Sequence, residues 1–144
     1  MKTNLENDIR RMRKKDVVDC FYSSLKEVRN KNPFATLNEV IEHAINSQAP
    51  RFYVTFENAR RFVSLLMRKK RLPIINENKI AMYKEIYKRY SKAVKDGSKR
   101  YKYVILEKII EEPAPCFYID QETFRGIVYR TMRQKHLQAT TANC

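Results

Sequence analysis

Apolar residues recur mostly three or four positions apart through Ile9, Met12, Val17, Cys20, Phe21, Leu25 and Val28. That spacing lines one face of a helix over residues 9–29. Asn30-Lys31-Asn32-Pro33 then reads as a turn, because Pro33 disfavours helix at the residue before it. Thr36 with Glu39 three residues on predicts a capping box. Leu37, Val40, Ile41, Ala44 and Ile45 give the second helix its buried face, and it ends near Asn46-Ser47. Ala49-Pro50 stops it, and Phe52-Tyr53-Val54 is aromatic and β-branched, hence extended. Thr55 is the expected N-cap of a third helix over 56–71, with Glu57 in the favourable first turn. Ala59, Phe62, Val63 and Leu66 fall on its inward face.

The pattern then starts again. Ile80, Tyr83, Ile86, Tyr87 and Tyr90 stripe a fourth helix, and Asp96-Gly97-Ser98 is a turn. A fifth helix spans 101–112. Ala114-Pro115 and an extended Phe117-Tyr118-Ile119 follow, then a cap at Asp120 and a sixth helix over 121–135. The recurrence is also literal. Residues 49–70 and 114–135 are identical at 10 of 22 positions without a gap, where chance gives about one or two. Over 9–70 against 74–135, 15 of 62 positions match, among them Ala49/Ala114, Pro50/Pro115, Phe52/Phe117, Tyr53/Tyr118, Val63/Val128 and Arg68/Arg133.

The expected fold is therefore all-α, with two tandem trihelical repeats related by internal duplication. Residues 9–71 form the first and 72–135 the second, packed against the first. Polar residues 1–8 and 136–144 are expected to be flexible. Two readings of the recurring Ala-Pro-x-Phe-Tyr element stay open. Its aromatics plug the space between second and third helices, or stack on unpaired bases. The extended segments also have the option of pairing with each other across a pseudo-twofold axis.

Composition adds a partner to this picture. The chain has 144 residues and a net charge of +14, from 30 basic and 16 acidic side chains. The excess is spread along the chain, +8 over residues 9–70 and +6 over 74–135. Such a charge repels itself in the compact state and attracts polyanions. A basic third helix in each trihelical unit resembles the tandem helix-turn-helix arrangement of Myb-like and homeodomain-like proteins, at the level of architecture. That resemblance implies third helices lying in the major groove, braced by the other two. Duplex DNA is the expected partner, with the protein a small transcriptional regulator or mobile-element accessory factor. RNA or single-stranded DNA, and an acidic protein, are the alternatives.

The candidate contact residues follow from the third helices. Arg51, Arg68, Lys69, Lys70 and Arg71 in the first copy, with Arg125, Arg133 and Lys135 in the second, suit phosphate contacts. Exposed positions that differ between copies are Asn58/Thr123, Arg61/Gly126 and Leu65/Arg130. Asn58 suits adenine, and Arg61 and Arg130 suit guanine, so base readout is expected there. Gly126 exposes backbone and is expected to weaken the second copy. Glu57 and Arg60 at i, i+3 either form a surface ion pair or leave the arginine for phosphate.

Other chemistry finds little support. Two glycines, Gly97 and Gly126, exclude the glycine-rich nucleotide loops. Of the two histidines, His136 lies in the expected tail and His43 has only Glu42 beside it, which is not a metal set. No catalytic residue, cofactor or metal is expected. Cys20, Cys116 and Cys144 have no paired spacing and leave an odd thiol, as in a reducing compartment. No apolar run approaches the length of a membrane span. A cytoplasmic protein without a membrane partner is the expectation.

Overall fold

The computed structural model describes residues 4–95 and 101–142, with side chains through His136. The expected turn at Asp96-Gly97-Ser98 and the third cysteine, Cys144, lie outside those residues. The described chain forms six helices and no strand. They are α1 (Asn4–Lys31), α2 (Leu37–Ile45), α3 (Phe56–Met67), α4 (Glu77–Lys95), α5 (Lys102–Glu111) and α6 (Gln121–Ala142).

The helix starts are where local chemistry puts them. The Thr36 hydroxyl accepts from the Glu39 amide at 3.2 Å, and the Thr36 amide donates to the Glu39 carboxylate at 3.3 Å, closing the capping box. Thr55 accepts from the Asn58 amide at 3.1 Å, and Asp120 from the Thr123 amide. Asn76 caps α4 through the Lys79 amide at 3.1 Å. The two outermost ends differ from expectation. α1 begins at Asn4 and α6 reaches Ala142, so both outer helices run past residues 9 and 135.

The packing is not that of two successive three-helix lobes. α1 pairs with α2, and α4 with α5, as hairpins. But α3 packs on α4 and α5, while α6 packs on α1 and α2. Each half therefore gives its third helix to the other. The cause lies in the connections. Ala49 and Ala114 exchange both backbone hydrogen bonds at 2.9 Å, as an isolated antiparallel bridge. The Phe52 amide then donates to the Ile110 carbonyl in α5 at 3.0 Å. The chain has thus crossed onto the opposite hairpin before α3 begins.

Aromatic rings fill the same joint. Phe52 lies parallel to Tyr118 with centroids 6.2 Å apart, and Phe117 to Tyr53 at 5.9 Å. Phe52 and Phe117 are 1% and 3% exposed, and the two tyrosines are half-buried. These four residues are therefore packing groups of the joint. Pairing across the two connections does occur, but at Ala49/Ala114; residues 52–54 and 117–119 are irregular backbone whose rings, not amides, meet. Arg89 of α4 reaches in as well. Its guanidinium sits 4.9 Å from the Phe52 ring centroid and donates to the Pro113 carbonyl at 3.0 Å and to Glu85 at 3.1 Å. One apolar core runs through both halves, from Val17, Phe21 and Ile41 to Ile86, Leu106 and Val128.

The two tyrosines of the joint differ in one bond. The Tyr53 hydroxyl donates to Asp16 at 2.6 Å, whereas the position 65 residues after Asp16 is Ala81. Tyr53→Phe is therefore expected to cost about 1.5 kcal/mol, the scale of a hydrogen bond to a charged group. Tyr118→Phe should cost clearly less in the same urea unfolding series.

A second expectation concerns alkaline pH. Burial pushes the Tyr83 hydroxyl up from 10.0 to about 12, against a smaller opposing effect of Arg61. Tyr83 is 5% exposed, so screening by solvent is small. The neutral form is favoured in the folded state, so its stabilisation is intact below pH 10. Stability should fall between about pH 10 and 12 by up to roughly 1.4 kcal/mol per pH unit. Tyr83→Phe should flatten that part of the profile in unfolding midpoints.

Candidate nucleic-acid interface

α3 has one face fixed and one face free. Ala59, Phe62 and Val63 are buried, with Phe62 against Tyr83 of α4 at 4.3 Å between centroids. That contact turns the opposite face outward. A shallow groove of about 560 Å³ runs along it, where Asn58, Arg61, Arg68, Lys70 and Arg71 meet Arg60. Five of the expected contact residues are thus brought together. Glu57 is the one carboxylate of the groove lining, and it accepts from Arg60 at 3.1 Å. The ion-pair reading of that i, i+3 spacing holds for the first half. Arg61 lies over its neighbour Phe62, 5.4 Å from the ring centroid. Arg68 donates to the Ser64 carbonyl at 3.4 Å and hydroxyl at 3.2 Å.

The basic run Arg68-Lys69-Lys70-Arg71 does not continue the helix as expected. α3 stops at Met67, with Arg68 as C-cap. Lys69 takes φ 56°, its amide donates to Leu66 at 3.0 Å, and the Lys70 amide donates to Leu65 at 2.9 Å. These two bonds define a Schellman end, in which the left-handed position is usually glycine. The sharp reversal spreads the four cations around the helix end instead of along a further helical turn.

The other expected residues are engaged elsewhere. Arg51 donates from Nε to the Phe52 carbonyl at 3.0 Å, at the joint. Thr123 is half-buried and serves the α6 cap, where its hydroxyl and amide hold the Asp120 carboxyl below its ordinary value. Arg125 is half-buried, and its Nε is shielded without an acceptor. Lys135 reaches from α6 to α1, with Nζ 5.3 Å from the Tyr22 ring centroid. Arg130 and Arg133 are exposed on α6. Gly126 does not leave bare backbone, because the Arg130 guanidinium folds over it, 3.4 Å from where a Cβ would stand.

Three cations outside the sequence-derived set form a second cluster. Arg10 and Arg13 of α1 and Lys79 of α4 line a cavity of about 260 Å³ at the start of α3. The signal for two of them is the basic run Arg10-Arg11 and Arg13-Lys14-Lys15; with α1 beginning at Asn4, these residues lie beyond its first turn.

Other site chemistry is sparse among the described residues. They hold no cluster of histidine, cysteine and carboxylate groups able to bind a metal ion. His43 faces the Ser24 hydroxyl at 3.2 Å. Cys20 and Cys116 are free thiols, and burial pushes the Cys20 thiol up. No helix among these residues is long and apolar enough to cross a membrane. The chain matches no protein-family model, no curated protein and no solved structure.

Lys69 provides a test of the helix end. A non-glycine residue in the left-handed region costs about 1 kcal/mol. Lys69→Gly is expected to raise the stability of the protein by about that amount while removing one cation from the end of α3. Thermal or urea unfolding measures the first effect.

Proposed function

We propose that this protein binds duplex DNA through the outer face of α3. The groove carrying five cations and Asn58 beside a single, already paired carboxylate is the observation that supports this most directly. The net charge of +14 supports it too. Phosphate contacts from Arg68, Lys70 and Arg71 position the protein without reading sequence. Asn58 and Arg61 have the hydrogen-bonding groups that suit base edges in the major groove. Burial of the Phe52/Tyr118 and Phe117/Tyr53 pairs leaves those rings unsuited to stacking on bases. A small transcriptional regulator or accessory factor of a mobile element fits this mode.

An internal duplication is part of the proposal. The recurrence at a 65-residue offset supports it, as does the meeting of equivalent residues Ala49 and Ala114 in reciprocal hydrogen bonds. A helix-turn-helix-like unit on this reading draws its bracing helices and its third helix from different halves. Two halves about a local twofold suit an inverted rather than a direct repeat in DNA, since protein symmetry is mirrored in the site.

A second reading, RNA or single-stranded DNA, has one observation behind it. Tyr101 and Tyr103 are exposed, with Lys102 Nζ 5.2 Å from the Tyr103 ring centroid. Exposed rings beside cations suit stacking on unpaired bases.

Fluorescence anisotropy with duplex, single strand and RNA over a range of salt separates these. Duplex should bind tightest, with log K falling against log salt at a slope of roughly −3 for about three phosphate contacts. No duplex binding at about 100 mM salt rejects the proposal. Arg68→Ala should weaken all sequences equally, while Arg61→Ala should relax sequence preference by about 1–3 kcal/mol. Equal effects of both on all sequences reject base readout by α3.

A further inference from the structure

We propose that the cavity at the foot of α3 is a phosphate site, formed by Arg10 and Arg13 of α1 and Lys79 of α4. Four observations carry this.

The first is an unmet donor. The Nε of Arg13 is shielded from solvent with no acceptor in the protein. A buried donor without a partner is costly, so the Arg13 guanidinium, which lines the cavity, gains by turning this donor toward an anion held there. The second is crowded like charge. Arg10 and Arg13 stand at i, i+3 on one face of α1, and Lys79 faces them across the cavity with Glu6 as the acidic group of the lining. Burial, then the charge of Arg10, destabilise the cationic form of Arg13. The lining carries three cations against one carboxylate, with Arg13 half-buried and Arg10 and Lys79 exposed.

The third observation is its place. Thr55 and Asn58, at the N-terminus of the 12-residue α3, line the same cavity. The positive end of a helix adds to the attraction for an anion. Two guanidinium groups suit the oxygens of phosphate, which they bind through paired N–H donors. At about 30 Å³ per water, roughly 260 Å³ holds a phosphate and part of its hydration. The fourth is asymmetry. Sixty-five residues on, Arg10 becomes Ile75 and Arg13 becomes Asn78. The repeating framework does not demand these arginines, and only the first half has them.

Asn58 lines this cavity and the α3 groove alike. A phosphate held here adjoins the proposed DNA face, so a backbone phosphate of the duplex is one source and free phosphate the other. Only the first source rests on the DNA reading.

The test has two arms. Inorganic phosphate is titrated into ¹⁵N-labelled protein while the arginine Nε–Hε signals are followed by NMR. The Arg13 signal should shift saturably at millimolar phosphate, and Lys79→Gln, at an exposed position, should raise the midpoint about tenfold, or about 1.4 kcal/mol. In the second arm, the salt slope of duplex binding is compared for wild type, Arg13→Gln and Lys79→Gln. A slope shallower by about one identifies a DNA phosphate. A saturable shift with an unchanged slope, or with no duplex binding, upholds the site and assigns it to free phosphate. Absence of a saturable shift together with an unchanged slope overturns the proposal, and duplex binding in that case leaves the DNA reading standing. Should Arg13→Gln fail to fold, Lys79→Gln decides both arms.

Discussion

The crossing of the two halves turns on the exchange of two hydrogen bonds between Ala49 and Ala114, set within the apolar core. Two residues at equivalent places in the repeating pattern donate to and accept from one another. Such mutual donation and acceptance is the antiparallel hydrogen-bonded pair, and between equivalent residues it places a local twofold axis through the joint. The ring pairs repeat the relation, since Phe52 meets Tyr118 as Phe117 meets Tyr53. Polar backbone that would be left unpaired between helices is satisfied there. The rings around it exclude water. The connections are then committed to opposite directions, and each carries the following helix onto the other half.

That commitment decides what α3 can do. An amphipathic helix must bury its apolar stripe, but the stripe alone does not say against what. Here Phe62 finds Tyr83 in α4, and Phe56 meets the edge of Tyr103 in α5 at 6.1 Å. The two contacts fix the rotation of α3 about its axis. Asn58, Arg61 and Arg68 are thereby held on the side of α3 away from its buried stripe. The Schellman end completes the face by turning Lys70 and Arg71 out of the helical path. A left-handed lysine in the position that glycine usually fills is local strain. It keeps a cation where the sequence could have had a neutral residue.

Local features were readable from the residues, and non-local ones were not. Thr36 with Glu39, Thr55 and Asp120 announce helix starts because a cap needs only a side chain and amides two or three residues on. The inward faces of α2 and α3 follow from spacing alone. The exchange of third helices does not, because an apolar periodicity is equally satisfied by either hairpin. The end of α3 was missed for a related reason: Arg and Lys are good helix formers, so nothing in Arg68-Lys69-Lys70-Arg71 signals a stop. Asn4-Leu5-Glu6-Asn7 carries too little apolar pattern to declare a helix. Of the site, the α3 cations were legible as exposed positions on a basic helix. The surroundings of Arg13 were not, since arginine is ordinarily exposed and its cavity is assembled from three distant segments.

Comparison of the halves sorts part of the framework from the surface, although the exposed Arg68/Arg133 and Lys70/Lys135 are kept as well. Positions kept across the 65-residue offset include Ala49/Ala114, Phe52/Phe117 and Val63/Val128, all of them buried. Positions that differ include Arg10/Ile75, Arg13/Asn78, Arg61/Gly126 and Leu65/Arg130. The last two pairs are not independent. Where the first half has Arg61, the second has Gly126, and the Arg130 guanidinium comes back one turn to cover it. A Cβ at 126 would stand in ordinary van der Waals contact with that guanidinium, so the arginine packs closely over the open face that the glycine leaves. The second half thus recovers a cation at the station of Arg61 from a different residue, one with a different reach and angle. Ile75 is 93% exposed where the first half has Arg10, and no comparable recovery occurs there. Charge on the third helices is retained while its geometry changes, and the arginine cluster at the foot of α3 belongs to one half alone. On the proposed reading, a surface built this way offers a polyanion two similar but unequal faces, with the first half set to dominate the contact.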